Sequence, residues 1–125
     1  SPFCRKALQG ERLVAAIRYT AVRIGAQPGA LLLGPLAVEP FLAGKGVGRR
    51  LIAESLEAAK AEGIRLVVLV GDLPYYGRFG FFRIPPGQIR LPGPVDPDRL
   101  LAAELVPGAL TSFSGLVKAD TDASP

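Results

Sequence analysis

Between residues 31 and 70 the hydrophobic pattern of the chain changes period twice. Leu31, Leu32, Leu33, Leu36, Ala37 and Val38 form an apolar run of strand length. From Val47 the apolar residues recur at helical spacing: Val47, Leu51, Ile52, Leu56 and Ala59 share one face, and Arg49, Arg50, Glu54, Glu57 and Lys60 the other. Gly63 supplies a C-terminal cap, and the segment after it, Ile-Arg-Leu-Val-Val-Leu-Val at residues 64–70, is too short and too β-branched for a second helix. Strand, helix and strand in that order predict a right-handed crossover with the two strands parallel. The fold class is therefore α/β (α+β), built around that unit.

The flanking segments read as further sheet. Residues 13–24 are β-branched and aromatic, with Ile17, Tyr19 and Ala21 alternating imperfectly against Arg18, Thr20 and Arg23. Gly25-Ala26-Gln27-Pro28-Gly29 is a turn, so this strand and the following apolar run form a hairpin. Pro35 has no N–H for a ladder, which predicts a bulge or splay at Gly34-Pro35. Residues 73–79 predict a short helix, with Asp72 at the N-cap, Pro74 early and Gly80 closing it. The proline-rich residues 85–97 read as an ordered loop, residues 101–106 and 113–118 as two closing strands, and 119–125 as a frayed tail.

Composition removes several classes of function. The 125 residues are one domain's worth. No apolar run approaches the roughly 20 residues of a membrane span, and no apolar segment follows Arg5 and Lys6, so the expectation is a chain without a secretory leader, cytoplasmic by default. With one cysteine, Cys4, and no histidine, the chain has no internal disulfide, no Cys/His nucleophile and no zinc cage, and the expected metal set is none. Proton transfer falls to carboxylate, tyrosine, lysine, water or substrate. The net charge of +4 is spread along the chain without a basic run, which argues against nucleic acid and for a small polyanion.

The anion has an evident seat. Gly44, Gly46 and Gly48 alternate with Lys45 and Val47 immediately before the amphipathic helix. The first N–H groups of a helix have no intrahelical partner and lie at the positive end of its dipole, so a pyrophosphate can accept several main-chain hydrogen bonds there. Glycine lets the backbone approach, and Lys45, Arg49 and Arg50 add positive charge. The phosphate loop of nucleoside triphosphatases needs Gly-Lys followed by Ser or Thr, and here Gly46 follows Lys45. A dinucleotide fold needs a longer alternating series than one crossover provides.

Leu36-Ala37-Val38, then Gly44-Lys45-Gly46-Val47-Gly48-Arg49-Arg50-Leu51-Ile52, then Tyr75-Tyr76-Gly77-Arg78-Phe79-Gly80-Phe81 resemble the GNAT superfamily of N-acetyltransferases. More narrowly, residues 33–38 and 70–76 are similar to a bacterial branch labelled predicted N-acetyltransferase. The resemblance implies a mixed, mostly antiparallel sheet whose central parallel pair splays at a strand bulge. It implies acetyl-CoA as cofactor and acetyl transfer to a primary amine of a small molecule or peptide, by direct attack in a ternary complex. Leu36, Ala37 and Val38 match the strand whose main chain pairs with the pantetheine arm. Gly46 and Gly48 match the small positions of the pyrophosphate motif, whereas Ala43 stands where the family has Gln or Arg. Tyr76, four residues before Gly80-Phe81, matches the tyrosine that protonates the departing thiolate. Glu39 and Asp72 are the candidate bases for the amine, with a turn residue and a helix cap as their plain alternatives.

The resemblance also implies a first strand and two helices ahead of the segment matching residues 3–9, and the chain has nothing that matches them. That leaves open a piece of a longer protein, an unusually open acceptor wall, or a wall supplied by a second protomer in a homodimer. With Ala43 it also leaves open a domain that binds CoA or a protein partner without catalysis, and the small residues around Ala37 leave the acyl chain undefined.

Overall fold

The computed structural model describes residues 4–10, 12–39 and 46–120. Its longest feature is the predicted hairpin, in which β2 (Arg12–Ile24) and β3 (Gln27–Val38) pair antiparallel across a turn at Gly25 and Ala26. The register steps from Ile17↔Leu36 to Tyr19↔Leu33, so β3 carries one residue more than β2 over that interval. Gly34 and Pro35 fall within it, and the bulge stands where the missing proline N–H requires one.

Helix α1 (Val47–Ala61) buries Gly48, Leu51, Ile52, Ser55, Leu56 and Ala59 against the sheet. At its end the Gly63 N–H donates to the Lys60 carbonyl at 3.1 Å and the Ile64 N–H to the Ala59 carbonyl at 3.0 Å. These bonds satisfy carbonyls that the last helical turn leaves unpaired. Strand β4 (Leu66–Val70) follows, parallel to β3. It starts two residues later than the sequence pattern predicts, because Ile64 belongs to the cap. Arg65 bridges two neighbours instead, donating its N–H to Gly29 and accepting from Leu105, each at 2.9 Å.

Residues 73–79 divide into α2 (Leu73–Tyr76) and a 3-10 turn at Gly77–Phe79. Two short strands that carry no readable period follow, β5 (Phe82–Arg83) and β6 (Ile89–Arg90), and the second lies inside the expected proline-rich loop. Strand β7 (Leu100–Glu104) pairs antiparallel with β4, and β8 (Gly115–Ala119) with the end of β2. The closing strand starts at Gly115 because Ala109–Ser112 form a 3-10 turn that leads the buried Phe113 into the core. The expected fraying at residue 119 is corrected: Ala119 pairs with Val22, the Asp120 N–H donates to the Ala21 carbonyl at 2.8 Å, and the Asp120 carboxylate meets Arg23 at 3.1 Å. Residues 121–125 lie outside the described residues.

The sheet order is β5-β7-β4-β3-β2-β8-β6, and β1 (Arg5–Gln9) pairs with the first half of β2. Strand alternation sends side chains to two cores. Ile17, Tyr19, Leu31, Leu33, Val67, Leu69 and Leu101 meet α1, while Val22, Ile24, Leu66, Val68, Ala102 and Phe113 pack on the opposite face.

Candidate functional site

The two parallel strands part company soon after they meet. Pairing between β3 and β4 covers Ala30↔Leu66, Leu31↔Val67 and Leu32↔Val68, yet β3 runs on to Val38 and β4 to Val70. Residues 33–38 keep β2 along one edge and, among the described residues, have no strand along the other. Leu36 and Ala37, opposite Ile17 and Ala16, lie in this stretch, and Val38 ends it opposite Ala15. An unpaired strand edge offers alternating N–H and C=O groups to a ligand that carries amides of its own.

Helix α1 starts beyond this edge. Its N-cap, Gly46, sits at φ 82, a left-handed conformation that side chains other than glycine resist. The first intrahelical bond is Arg50 N–H to the Gly46 carbonyl at 3.0 Å, so the amides of Val47, Gly48 and Arg49 precede the helical ladder. No side chain caps the helix and its first turn holds no acid. Arg49 and Arg50 are exposed, and a Cβ built on Gly46 would stand 3.9 Å from an Arg49 guanidinium nitrogen, which puts that cation beside the turn. Gly48 is buried against the sheet. Amides, dipole and the Arg49 cation meet at this turn, an arrangement that suits a phosphate group. Ala43, Gly44 and Lys45 lie outside the described residues.

Tyr76 ends α2, the helix that follows β4. Its half-buried ring stands edge-on to Tyr75, with centroids 4.9 Å apart, and to Phe81 at 5.8 Å. Burial, with a smaller contribution from Tyr75, raises its pKa above the usual 10.0 and keeps the phenol protonated at neutral pH, the state a proton donor needs. Glu39 follows β3 and is half-buried, and the exposed Asp72 follows β4, so both acids stand at the carboxyl ends of the parallel pair. Asp72 occupies the N-cap position of α2, but its side chain makes no cap hydrogen bond. Its carboxylate therefore does not do the work of a cap.

Sequence reasoning missed a polar pair behind this site. The Tyr19 hydroxyl lies 2.7 Å from Ser55 Oγ, and Ser55 Oγ lies 2.7 Å from the Leu51 carbonyl and 3.0 Å from that of Ile52. The serine has one proton, which goes to a helix carbonyl, so Tyr19 donates to Ser55. The bond ties β2 to α1 inside the core, and burial pushes the Tyr19 pKa up to about 12. A signal existed: Ser55 sits on the apolar face between Ile52 and Leu56, where a hydroxyl needs a partner.

The sequence model of the Acetyltransferase (GNAT) family matches residues 1–81. The chain belongs to the GNAT acetyltransferase family. Among relatives, the Escherichia coli (strain K12) protein named uncharacterized N-acetyltransferase YhbS is 33% identical over 86 residues, which cover 69% of this chain and 52% of that protein. The chain thus spans about half the length of that relative. The crystal structure of E. coli YhbS in complex with CoA superposes with a TM-score of 0.80 at 26% identity, covering 90% of this chain and 63% of that one. A GNAT acetyltransferase from Brucella melitensis, in complex with acetyl-CoA, gives 0.61 at 34% identity over 79% of this chain and 64% of its own. The mixed sheet described above is the GNAT fold. Among the described residues no helix is long and apolar enough to cross a membrane.

Proposed function

We propose that this GNAT domain is an N-acetyltransferase that moves an acetyl group from acetyl-CoA to a primary amine by direct attack in a ternary complex. The observation that carries the reading is the parting of β3 from β4 after Leu32, which frees a strand edge, with α1 the next described element along the chain. The residues present fit the cofactor. The main chain of Leu36, Ala37 and Val38 suits the amides of the pantetheine arm. The amides of Val47, Gly48 and Arg49 suit its pyrophosphate, with Arg49 and Arg50 adding charge; Gly46 and, by sequence alone, Gly44 and Lys45 complete the proposed set. The CoA and acetyl-CoA bound by the two solved relatives support this assignment.

Acetyl-CoA supplies the acetyl group as an activated thioester. The chain's own residues hold it, exclude water and move protons. Tyr76 donates its phenolic proton to the departing thiolate. An amine with a pKa near about 10.4 is almost wholly protonated at neutral pH and cannot attack in that form. Glu39 or Asp72, at the ends of the two strands, takes that proton, directly or through water. The acceptor in this reading is a small-molecule or peptide amine met in the cytoplasm.

The test is thiol release from acetyl-CoA over a panel of primary amines, with wild type and Tyr76→Phe. Amine-dependent release that falls by about 10²-fold or more in Tyr76→Phe is expected. Calorimetric binding of acetyl-CoA without release on any amine would replace the enzyme with a CoA-binding module, and no binding at millimolar concentration would end the reading altogether.

A further inference from the structure

We propose that Gly71 is a positioning residue: the space left by its absent side chain seats the ring of Tyr76 and so sets where the Tyr76 hydroxyl stands. A Cβ built on Gly71 would lie 2.6 Å from Cε2 and 3.0 Å from Cδ2 of Tyr76, and 2.9 Å from Cδ1 of Leu69. Gly71 lies outside the left-handed region, so its backbone does not call for glycine. The ring does.

The seat itself is held firmly. The Gly71 N–H donates to the Arg99 carbonyl at 2.9 Å, continuing the β4–β7 ladder one step past Val70↔Leu100, and the Arg99 Nε donates to the Gly71 carbonyl at 3.4 Å. Leu69, 1% exposed within the core, has little room to give. Tyr76 is half-buried on a one-turn helix and yields more easily. Ordinary contact begins at 3.4 Å against the 2.6 Å found, so alanine at position 71 drives Cε2 back by about 0.8 Å (3.4 − 2.6); a swing of the ring about χ1 carries the hydroxyl with it, whereas a turn about χ2 alone leaves the hydroxyl on its axis. A reacting group misplaced by about 1 Å can lose roughly 10²-fold in rate.

The consequence for turnover rests on Tyr76 being the proton donor, whereas the seat does not, and the experiment separates the two. The protein is labelled with 3-fluorotyrosine, and its three tyrosines are assigned with Tyr76→Phe and Tyr19→Phe. In Gly71→Ala the Tyr76 fluorine resonance moves toward the solvent-exposed position while that of Tyr19 stays, which also reports an intact core. An unmoved Tyr76 resonance overturns the seat. Thiol release with the amine panel falls about 10- to 100-fold in kcat with acetyl-CoA affinity within about twofold, and Gly71→Ala adds no loss in a Tyr76→Phe background. Full turnover in Tyr76→Phe sinks the proton-donor reading and leaves the fluorine spectrum to decide the seat. Should Gly71→Ala not fold, the wild type decides: the Gly71 Hα resonances carry a ring-current displacement that disappears in Tyr76→Leu, and its absence overturns the proposal.

Discussion

Replacing Ser55 by alanine should destabilise the domain more than removing the Tyr19 hydroxyl that Ser55 receives. Both residues are buried, at 0% and 3% exposure, and their oxygens stand 2.7 Å apart. Tyr19→Phe removes the donor and leaves Ser55 bonded to the Leu51 carbonyl, a loss of about 0.5–1.5 kcal/mol. Ser55→Ala strands the tyrosine hydroxyl without a partner in the core, about 1–3 kcal/mol, of which the better helix propensity of alanine offsets roughly 0.5. The double variant leaves nothing unpaired, so it should be more stable than Ser55→Ala alone. Urea unfolding followed by far-ultraviolet circular dichroism suits a chain without tryptophan, and each kcal/mol moves Tm by roughly 3–6 °C at this size. Additive losses across the four proteins would show that the hydrogen bond carries no coupling, and Ser55→Ala as stable as Tyr19→Phe would refute the ranking; either result contradicts the reasoning.

The same tyrosine makes stability depend on alkaline pH. Its folded pKa of about 12 lies above the unfolded value of 10.0, so the contribution is complete below pH 10 and is lost as pH rises toward 12. The loss is on the order of 2–3 kcal/mol, and Tyr19→Phe should flatten it in urea titrations at pH 9 and 11.5. Tyr76, also raised, acts in the same direction. Arg49→Ala and Arg50→Ala should each weaken CoA binding by roughly two- to fivefold at low salt, as expected for exposed cations at a helix start, with the difference shrinking in 0.5 M salt by calorimetry. Gly46→Val, forced into φ 82, should lower stability by about 1–2 kcal/mol in thermal melts, and Gly46→Asn by less.

What could be read in advance was whatever depends on local pattern. Val47, Leu51, Ile52 and Leu56 announce the helix, Gly63 its end, and the β-branched run after it the returning strand, so the crossover and its parallel pair follow from periodicity. Pro35 located the bulge because a missing N–H is a property of one residue. The two-residue strands β5 and β6 carry too few side chains to show a period, and their pairing with β7 and β8 is settled across the sheet. Strand β1 is held by β2 and alternates weakly, with Leu8 and Leu13 both exposed where they pair. Tyr76 and the glycine turn are candidates that resemblance on top of pattern singles out. The role of Gly71 was hidden because it exists only once α2 folds the ring back onto a residue that looks like an ordinary bend. Ser55 was legible in principle, as a hydroxyl on an apolar face.

The most direct test of the site is an amide-resolved NMR titration of the protein with CoA. The largest shifts should fall on the amides of Val47, Gly48 and Arg49 and on Leu36, Ala37 and Val38, saturating together. Shifts confined to other strands, or a spectrum unchanged at millimolar CoA, would contradict the assignment of the parted strands and the α1 start as the cofactor site.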